Sequence, residues 1–198
     1  LSSYDKPDFW AEKARKEGYP ARSVYKLMEI DRKFGLVRPG ARILDLGAAP
    51  GSWSLWALRR LGGEGFVAAV DLQNLAKSPP DANFLFVRGD LYDPEVRSRL
   101  LAAGPFGLVL SDAAPSTTGS RLVDQSASEA IVEAVIDYAE ASLATGGALV
   151  AKIFQGGAEA GLLKRLRGRF AQAKGFKPEA CRSESFETYL VAVGFGKA

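Results

Sequence analysis

Short apolar runs of strand length alternate along most of this chain with longer stretches whose apolar residues recur every three or four positions. The alternation begins at Arg42. It predicts strands over 42–47, 65–71, 83–87, 106–112, 147–154 and 189–193, with helices at about 52–61, 94–103 and from about Glu159. Ser126-Ala127-Ser128-Glu129 has the form of a capping box and predicts the start of a long helix, whose Ile131, Val135, Ile136, Tyr138 and Ala139 share a buried side. Ahead of the first strand the pattern predicts two short helices. One covers 8–17, capped by Asp8 and ended by Gly18. The other covers 23–30, capped by Ser23, with Val24, Leu27 and Met28 on one face. Such alternation implies an α/β fold with a mainly parallel central sheet of about seven strands and helices on both faces. No repeat, linker or low-complexity tract interrupts it. One domain over 1–198 is expected, with a basic helical extension (1–40) ahead of the core (41–198).

Composition narrows the chemistry. Of 198 residues 47% are hydrophobic, enough for a substantial core, yet no run approaches the ~18 apolar residues of a membrane span. Nothing at the start resembles a signal peptide, so a soluble cytoplasmic protein is expected. No long apolar stripe is left over for a partner, so a monomer is expected. The single Cys181 excludes an intrachain disulfide and a cysteine-rich zinc site, and its plain role is that of a small buried residue. With no histidine in the chain, acid–base work must fall to Lys, Asp, Glu or Tyr, and no metal is expected.

The net charge of +3 is unevenly spread, because residues 1–42 hold ten Lys/Arg against six Asp/Glu. Arg15, Lys16, Arg22, Lys26, Arg32 and Lys33 are interleaved with Phe9, Trp10, Tyr19 and Tyr25, which suits an RNA's phosphates and unpaired bases; a helical pair packing its aromatics on the core is equally consistent. A second basic run, Lys164, Arg165, Arg167, Arg169, Lys174 and Lys177, is simplest as a solvated face. Together the two make an anionic polymer a reasonable partner.

The stretch Asp45-Leu46-Gly47-Ala48-Ala49-Pro50-Gly51-Ser52-Trp53 has the form of a strand, a tight loop and a helix start. Its glycines stand four apart with Pro50 between them, unlike the G-x-G-x-x-G that seats a dinucleotide pyrophosphate. S-adenosylmethionine, which carries no phosphate, suits this roomier loop; an ordinary strand-to-helix turn is the alternative. Ligands of open α/β sheets bind outside the carboxyl ends of the strands, and here Gly47, Asp71, Asp90, Asp112 and Lys152 all fall at that edge. Asp71 is suited to ribose hydroxyls, Asp90 to the adenine amino group, and Asp112 to the methionine portion beside the sulfonium. Lys152 interrupts an apolar strand and must snorkel or pair, with Asp112 one strand away. An ion pair and a catalytic role both fit.

Five segments carry a resemblance: Arg22-Ser23-Val24-Tyr25-Lys26-Leu27, the 45–53 loop, Ser111-Asp112-Ala113-Ala114-Pro115, Lys152-Ile153-Phe154-Gln155-Gly156 and Ser185-Phe186-Glu187-Thr188-Tyr189. Together they resemble the FtsJ/RrmJ (RlmE) family of S-adenosylmethionine-dependent RNA 2′-O-ribose methyltransferases, and the compact length is that of its bacterial members acting on a uridine of 23S ribosomal RNA. The resemblance implies a Rossmann-like class I methyltransferase fold. It implies a catalytic tetrad of Lys26, Asp112, Lys152 and Glu187, and cofactor contacts from Gly51, Trp53, Asp71, Asp90 and Asp112. The implied partner is ribosomal RNA, as the large subunit or its precursor. Ser52 stands where the family has a second glycine and Ser116 where it has an asparagine. In the implied reaction Lys152 is the candidate base, or alternatively a charged group steering the hydroxyl's lone pair toward the methyl. Lys26 would hold the ribose or adjacent phosphate, and Glu187 would orient the lysines or the hydroxyl. Competing readings are a transfer RNA substrate in the same family, a non-catalytic RNA-binding module on this fold, and an NAD-dependent reductase, which the first loop disfavours.

Overall fold

Ile43, Leu44 and Leu46 make β1 (Arg42–Leu46) a strand wholly enclosed between two layers, which is what a continuous apolar run in a parallel sheet requires. The computed structural model describes residues 9–79, 82–182 and 185–196. Around β1 lie β2 (Phe66–Asp71), β3 (Phe84–Arg88), β4 (Phe106–Ser111), β5 (Leu143–Phe154), β6 (Phe170–Phe176) and β7 (Glu187–Phe195), in the sheet order β3-β2-β1-β4-β5-β7-β6. The first five run parallel, and β7 is inserted antiparallel between β5 and β6. From β1 the chain builds outward through β2 and β3 on one side and through β4 and β5 on the other. The crevice at the carboxyl ends of β1 and β4 is therefore the topological switch point where such sheets take ligands.

Alternating side chains divide the core. One face of the sheet packs on α2 (Val24–Phe34) and α3 (Ser52–Leu61) through Ile43, Val67, Leu108, Leu110, Val150 and Val191. The other face packs on α5 (Arg121–Ser142) and α6 (Glu159–Arg167) through Leu44, Leu46, Val109, Leu149 and Ala151, with α4 (Pro94–Leu101) alongside. The expected two-sided α/β architecture is thus observed. Asp93 caps α4 with its side chain, and Gly35 ends α2 in the left-handed conformation, at φ 62°, that glycine enters without penalty. α1 (Phe9–Lys16) lies on α2, with Trp10 against Tyr25 at 4.9 Å between ring centres. Asp8, expected to cap α1, lies outside the described residues.

Two expectations are corrected. The long helix opens at Arg121 with Ser120 as cap residue, not at the box Ser126–Glu129. Ser128 is instead buried inside α5, where its Oγ accepts a hydrogen bond from the Phe154 N–H at 3.0 Å and ties the helix to the end of β5. The start is held by Asp124, whose Oδ1 accepts from the backbone N–H and the hydroxyl of Thr118, both at 2.8 Å. The second correction is β6, which divides the basic run thought to be one solvated face. Arg165 pairs with Asp137 and Glu140 on α5, while Lys174 lies on β6.

Candidate active site

The loop after β1 turns at Gly47, with φ 80°. A Cβ there would stand 2.5 Å from the Cβ of Ala113, so only glycine lets the β1 and β4 loops close together. Beside that closure, at the carboxyl ends of β1 to β4, is a cavity of about 460 Å³ whose lining includes Gly47, Asp71, Asp90, Tyr92, Asp112 and Ile131. Its described lining holds three carboxylates and no Lys or Arg. A field of that sign favours a cationic ligand and disfavours a diphosphate. Asp71 steadies the β1 loop, its Oδ2 accepting from the Ala49 N–H at 2.9 Å and its Oδ1 from the Gln73 N–H at 2.8 Å. Each oxygen keeps a lone pair for a ligand. Asp90 Oδ1 accepts from the Tyr92 N–H at 2.9 Å.

Gly51 and Trp53 stand apart from this lining. Gly51, at φ 108°, is the cap position of α3 and faces Leu75. Trp53 is 2% exposed, and its indole Nε1–H donates to the Ser23 carbonyl at 2.9 Å, joining α3 to the start of α2.

Lys26, Asp112, Lys152 and Glu187 come together in two linked pairs. Lys152 Nζ lies 3.1 Å from Asp112 Oδ1 and also donates to the Asp112 carbonyl, and Lys26 Nζ lies 2.5 Å from Glu187 Oε1. Strand periodicity explains how. Lys152 continues the parity of Ala148 and Val150, Asp112 that of Leu108 and Leu110, and Glu187 that of Tyr189 and Val191, so all three point to the α2 side of the sheet, where Lys26 is. Lys152 and Glu187 are each 9% exposed, so charges in this cluster are poorly screened.

The second pair is electrostatically settled. Burial alone would pull the Lys26 ammonium down, yet the Asp112 charge and the hydrogen bond and charge of Glu187 hold it above the usual lysine value. For Glu187 burial pushes up, and it is outweighed by the hydrogen bond and charge of Lys26, with help from the Cys181 thiol and Lys152; the carboxyl ends below the usual range. Cys181 is itself pushed up to about 12, first by burial and then by Glu187, which leaves it an inert thiol.

One functional neighbour was not visible in sequence. Tyr189, fully buried, donates its hydroxyl to Asp112 Oδ1 at 2.6 Å, the same oxygen that faces Lys152. Burial first, and then the charges of Asp112 and Glu187, hold its phenol well above the ordinary tyrosine value, so it stays a donor. Lys152 and Tyr189 are register partners across β5 and β7. Sequence periodicity gives each strand its face but not which residue of β7 meets Lys152. A second cavity, also about 460 Å³, opens on the far side of the cluster, lined by Arg22, Ser23, Lys26, Ala180, Arg182, Ser185 and Glu187.

Residues 19–195 match the family model described as FtsJ-like methyltransferase. The chain belongs to that family. The ribosomal RNA large subunit methyltransferase E of Treponema denticola is 49% identical over 194 residues, covering 98% of each chain. The protein of the same description from Oleidesulfovibrio alaskensis is 44% identical over 190 residues, covering 95% of this chain and 91% of its own. Among solved structures, a Plasmodium falciparum protein described as a ribosomal RNA methyltransferase superposes with a TM-score of 0.79 at 26% identity, over 91% of this chain and all of that one. A fibrillarin/Nop5p complex, at 19% identity and a TM-score of 0.63 over 87% of this chain and 83% of that one, shares the fold.

This FtsJ-like methyltransferase buries one further carboxylate under the site. Asp45, 1% exposed, accepts from the Ser54 hydroxyl at 2.6 Å through Oδ2, while Oδ1 has no partner among the described residues. Burial, followed by the charges of Asp112 and Asp71, pushes its carboxyl up to about 7, the Ser54 hydrogen bond offsetting part of the effect. The unfolded chain releases this proton near pH 4, so between about pH 4 and 7 only the native state holds it, and stability falls with rising pH across that window. The loss is on the order of 3–4 kcal/mol, where each kcal/mol moves Tm by about 2–4 °C in a chain of this size. Asp45→Asn is expected to flatten the Tm profile between about pH 4 and 7; parallel profiles for variant and wild type would exclude this origin.

Proposed function

We propose that this protein transfers a methyl group from S-adenosylmethionine to the ribose 2′-hydroxyl of a uridine in large-subunit ribosomal RNA. It acts as a monomeric, single-domain enzyme on the large subunit or its precursor. The observation that carries the reading is one charged cluster serving two cavities of opposite character. Asp112 lines the acidic one, Lys26 and Glu187 line the basic one, and Lys152 pairs with Asp112 while the charges of the two pairs act on each other. The names of the relatives support ribosomal RNA as the acceptor.

The acidic cavity fits the donor by charge, since S-adenosylmethionine carries a sulfonium and an ammonium. When bound, it supplies an electrophilic methyl group. Asp71 would hold the ribose hydroxyls, Asp90 the adenine amino group and Asp112 the methionine portion. Gly51 and Trp53 support that cavity from behind, through the 47–51 loop and the start of α3.

A ribose hydroxyl is a weak acid, so the chain's own residues must align its oxygen and manage its proton. A charged Lys152 would direct two of its three N–H bonds to Asp112, one to the carbonyl it already meets and one toward the carboxylate oxygen at 3.1 Å. The third is left for the 2′-oxygen, whose lone pair it turns toward the methyl group. The same contacts serve a neutral Lys152, whose two N–H bonds would go to Asp112 and whose lone pair would take the hydroxyl proton, so experiment rather than this count separates the two versions. Lys26, fixed by Glu187, receives the ribose or the adjoining phosphate. Arg22 and Arg182 add cationic character around the acceptor.

Mapping 2′-O-methyl positions in ribosomal and transfer RNA from cells with and without this protein tests the reading. A single 23S uridine that loses its methyl group is expected. Loss confined to a transfer RNA would move the enzyme to the transfer RNA branch, and no change in either would refute RNA methylation.

A further inference from the structure

A second cationic hollow lies at the opposite end of the sheet from the tetrad, and the reaction does not use it. About 750 Å³ in volume, it is bounded by the end of α2, the start of β5, and β6 with the end of β7; its charged lining residues are Lys33, Arg38 and Lys174, with no acid among them. All three are exposed, and among the described residues no carboxylate pairs with them. Two of the ammonium groups are set over aromatic rings in a crossed arrangement. Lys33 lies 4.4 Å from the ring centre of Phe176 and Lys174 lies 4.9 Å from that of Phe34, while the two rings meet edge to face at 5.6 Å. This fixes the charges in place without neutralising them.

The acids of α2 are withdrawn from the same surface. Asp31 Oδ1 accepts from the N–H groups of Leu36 and Val37, and Glu29 accepts from those of Glu179 and Ala180. Among the described residues Arg32 and Lys33, at the far end of the helix from the Lys26–Glu187 pair, are left without an acidic partner, and the exposed Glu179 is the dissenting charge nearby. α2 and β6 both lead from one hollow toward the other. Lys26 lines the acceptor cleft and Lys33 the distal hollow, seven residues and ~10 Å apart along α2. Lys174 lies in the hollow, and Lys177, just past β6, donates to the Ser185 carbonyl at the cleft.

We propose that the Lys33–Arg38–Lys174 hollow is a second docking site for the sugar–phosphate backbone of the substrate RNA, gripping a segment remote from the methylated nucleotide. This rests on the RNA reading given above. Backbone contacts of this kind set register without reading sequence, and each phosphate neutralised contributes to the salt dependence of binding.

The test compares wild type with K33Q/R38Q/K174Q, and with K164Q/R99Q on the other face as a control, using large ribosomal subunits from cells without the enzyme and an unmodified transcript of their RNA. The triple variant is expected to bind this RNA about tenfold or more weakly at moderate salt. Its slope of log K against log salt should fall by roughly 2–3, the effect appearing in KM for RNA rather than in kcat, with S-adenosylmethionine affinity unchanged. The control variant should match wild type. In the wild-type complex, Lys33 and Lys174 should be protected from acetylation and Lys164 should not, which tests the idea without any mutation. If wild type binds and methylates the subunits or the transcript while the triple variant keeps the same affinity and slope, or if Lys33 and Lys174 label as in the free enzyme, the hollow has no such role and the RNA reading stands. If wild type neither binds nor methylates the subunits or the transcript, the RNA reading falls and the hollow with it.

Discussion

Lys152→Ala is expected to lower methyl transfer by roughly 10³-fold or more while leaving the affinity for S-adenosylmethionine within a few-fold of wild type. The asymmetry follows from position. Lys152 is not among the residues lining the acidic cavity, whereas Asp112, its partner, is. Removing the amine deletes the group that aligns the 2′-oxygen and leaves the carboxylates that attract the donor. Because the substitution also leaves Asp112 without its counter-ion, Lys152→Met, which keeps most of the methylene stem, is the control for packing and should show the same loss. Lys152→Arg separates the two versions of the chemistry. An arginine stays charged, so steering predicts measurable residual turnover and proton abstraction predicts none. Turnover within tenfold of wild type in the alanine variant would remove Lys152 from the reaction.

Asp112→Asn is expected to act on the donor as well as on the rate. With a carboxylate in the cavity, the sulfonium form is preferred over the neutral product S-adenosylhomocysteine; an amide of the same shape loses that preference. The ratio of the two affinities should shift toward the product by about tenfold, as measured by calorimetric titration of both ligands. Turnover should fall by about 10²-fold or more, since Lys152 and Tyr189 both lose the anion that orders them. An unchanged affinity ratio would show that Asp112 serves only to position its neighbours.

Much of this arrangement could be read from the residues because strand parity and strand ends are local. Asp71 and Asp112 fall where an apolar strand gives way to the loop edge, and Lys152 interrupts an apolar run on the parity that faces α2. What escaped is what depends on pairing. Phe170-Ala171-Gln172-Ala173-Lys174-Gly175-Phe176 has glycine, glutamine and lysine in it and continues a basic helix, so only its partnership with β7 makes it a strand. The beginning of α5 was hidden because Leu122 and Val123 are 77% and 53% exposed, against the periodicity of a buried face, while a convincing capping box lay a few residues on. Tyr189 could be read only as the start of the last strand, since its hydroxyl has meaning only beside a carboxylate 77 positions earlier.

The reversed direction of β7 has a consequence for the order in which the enzyme becomes competent. Every described residue lining the acidic cavity lies between Gly47 and Ile131, whereas Glu187 and Tyr189 arrive on a strand that enters between β5 and β6 after both have been made. A growing polypeptide thus carries Lys26 and every described residue of the acidic cavity before it carries Glu187, the group that fixes Lys26. The C-terminal hairpin is the step that arms it.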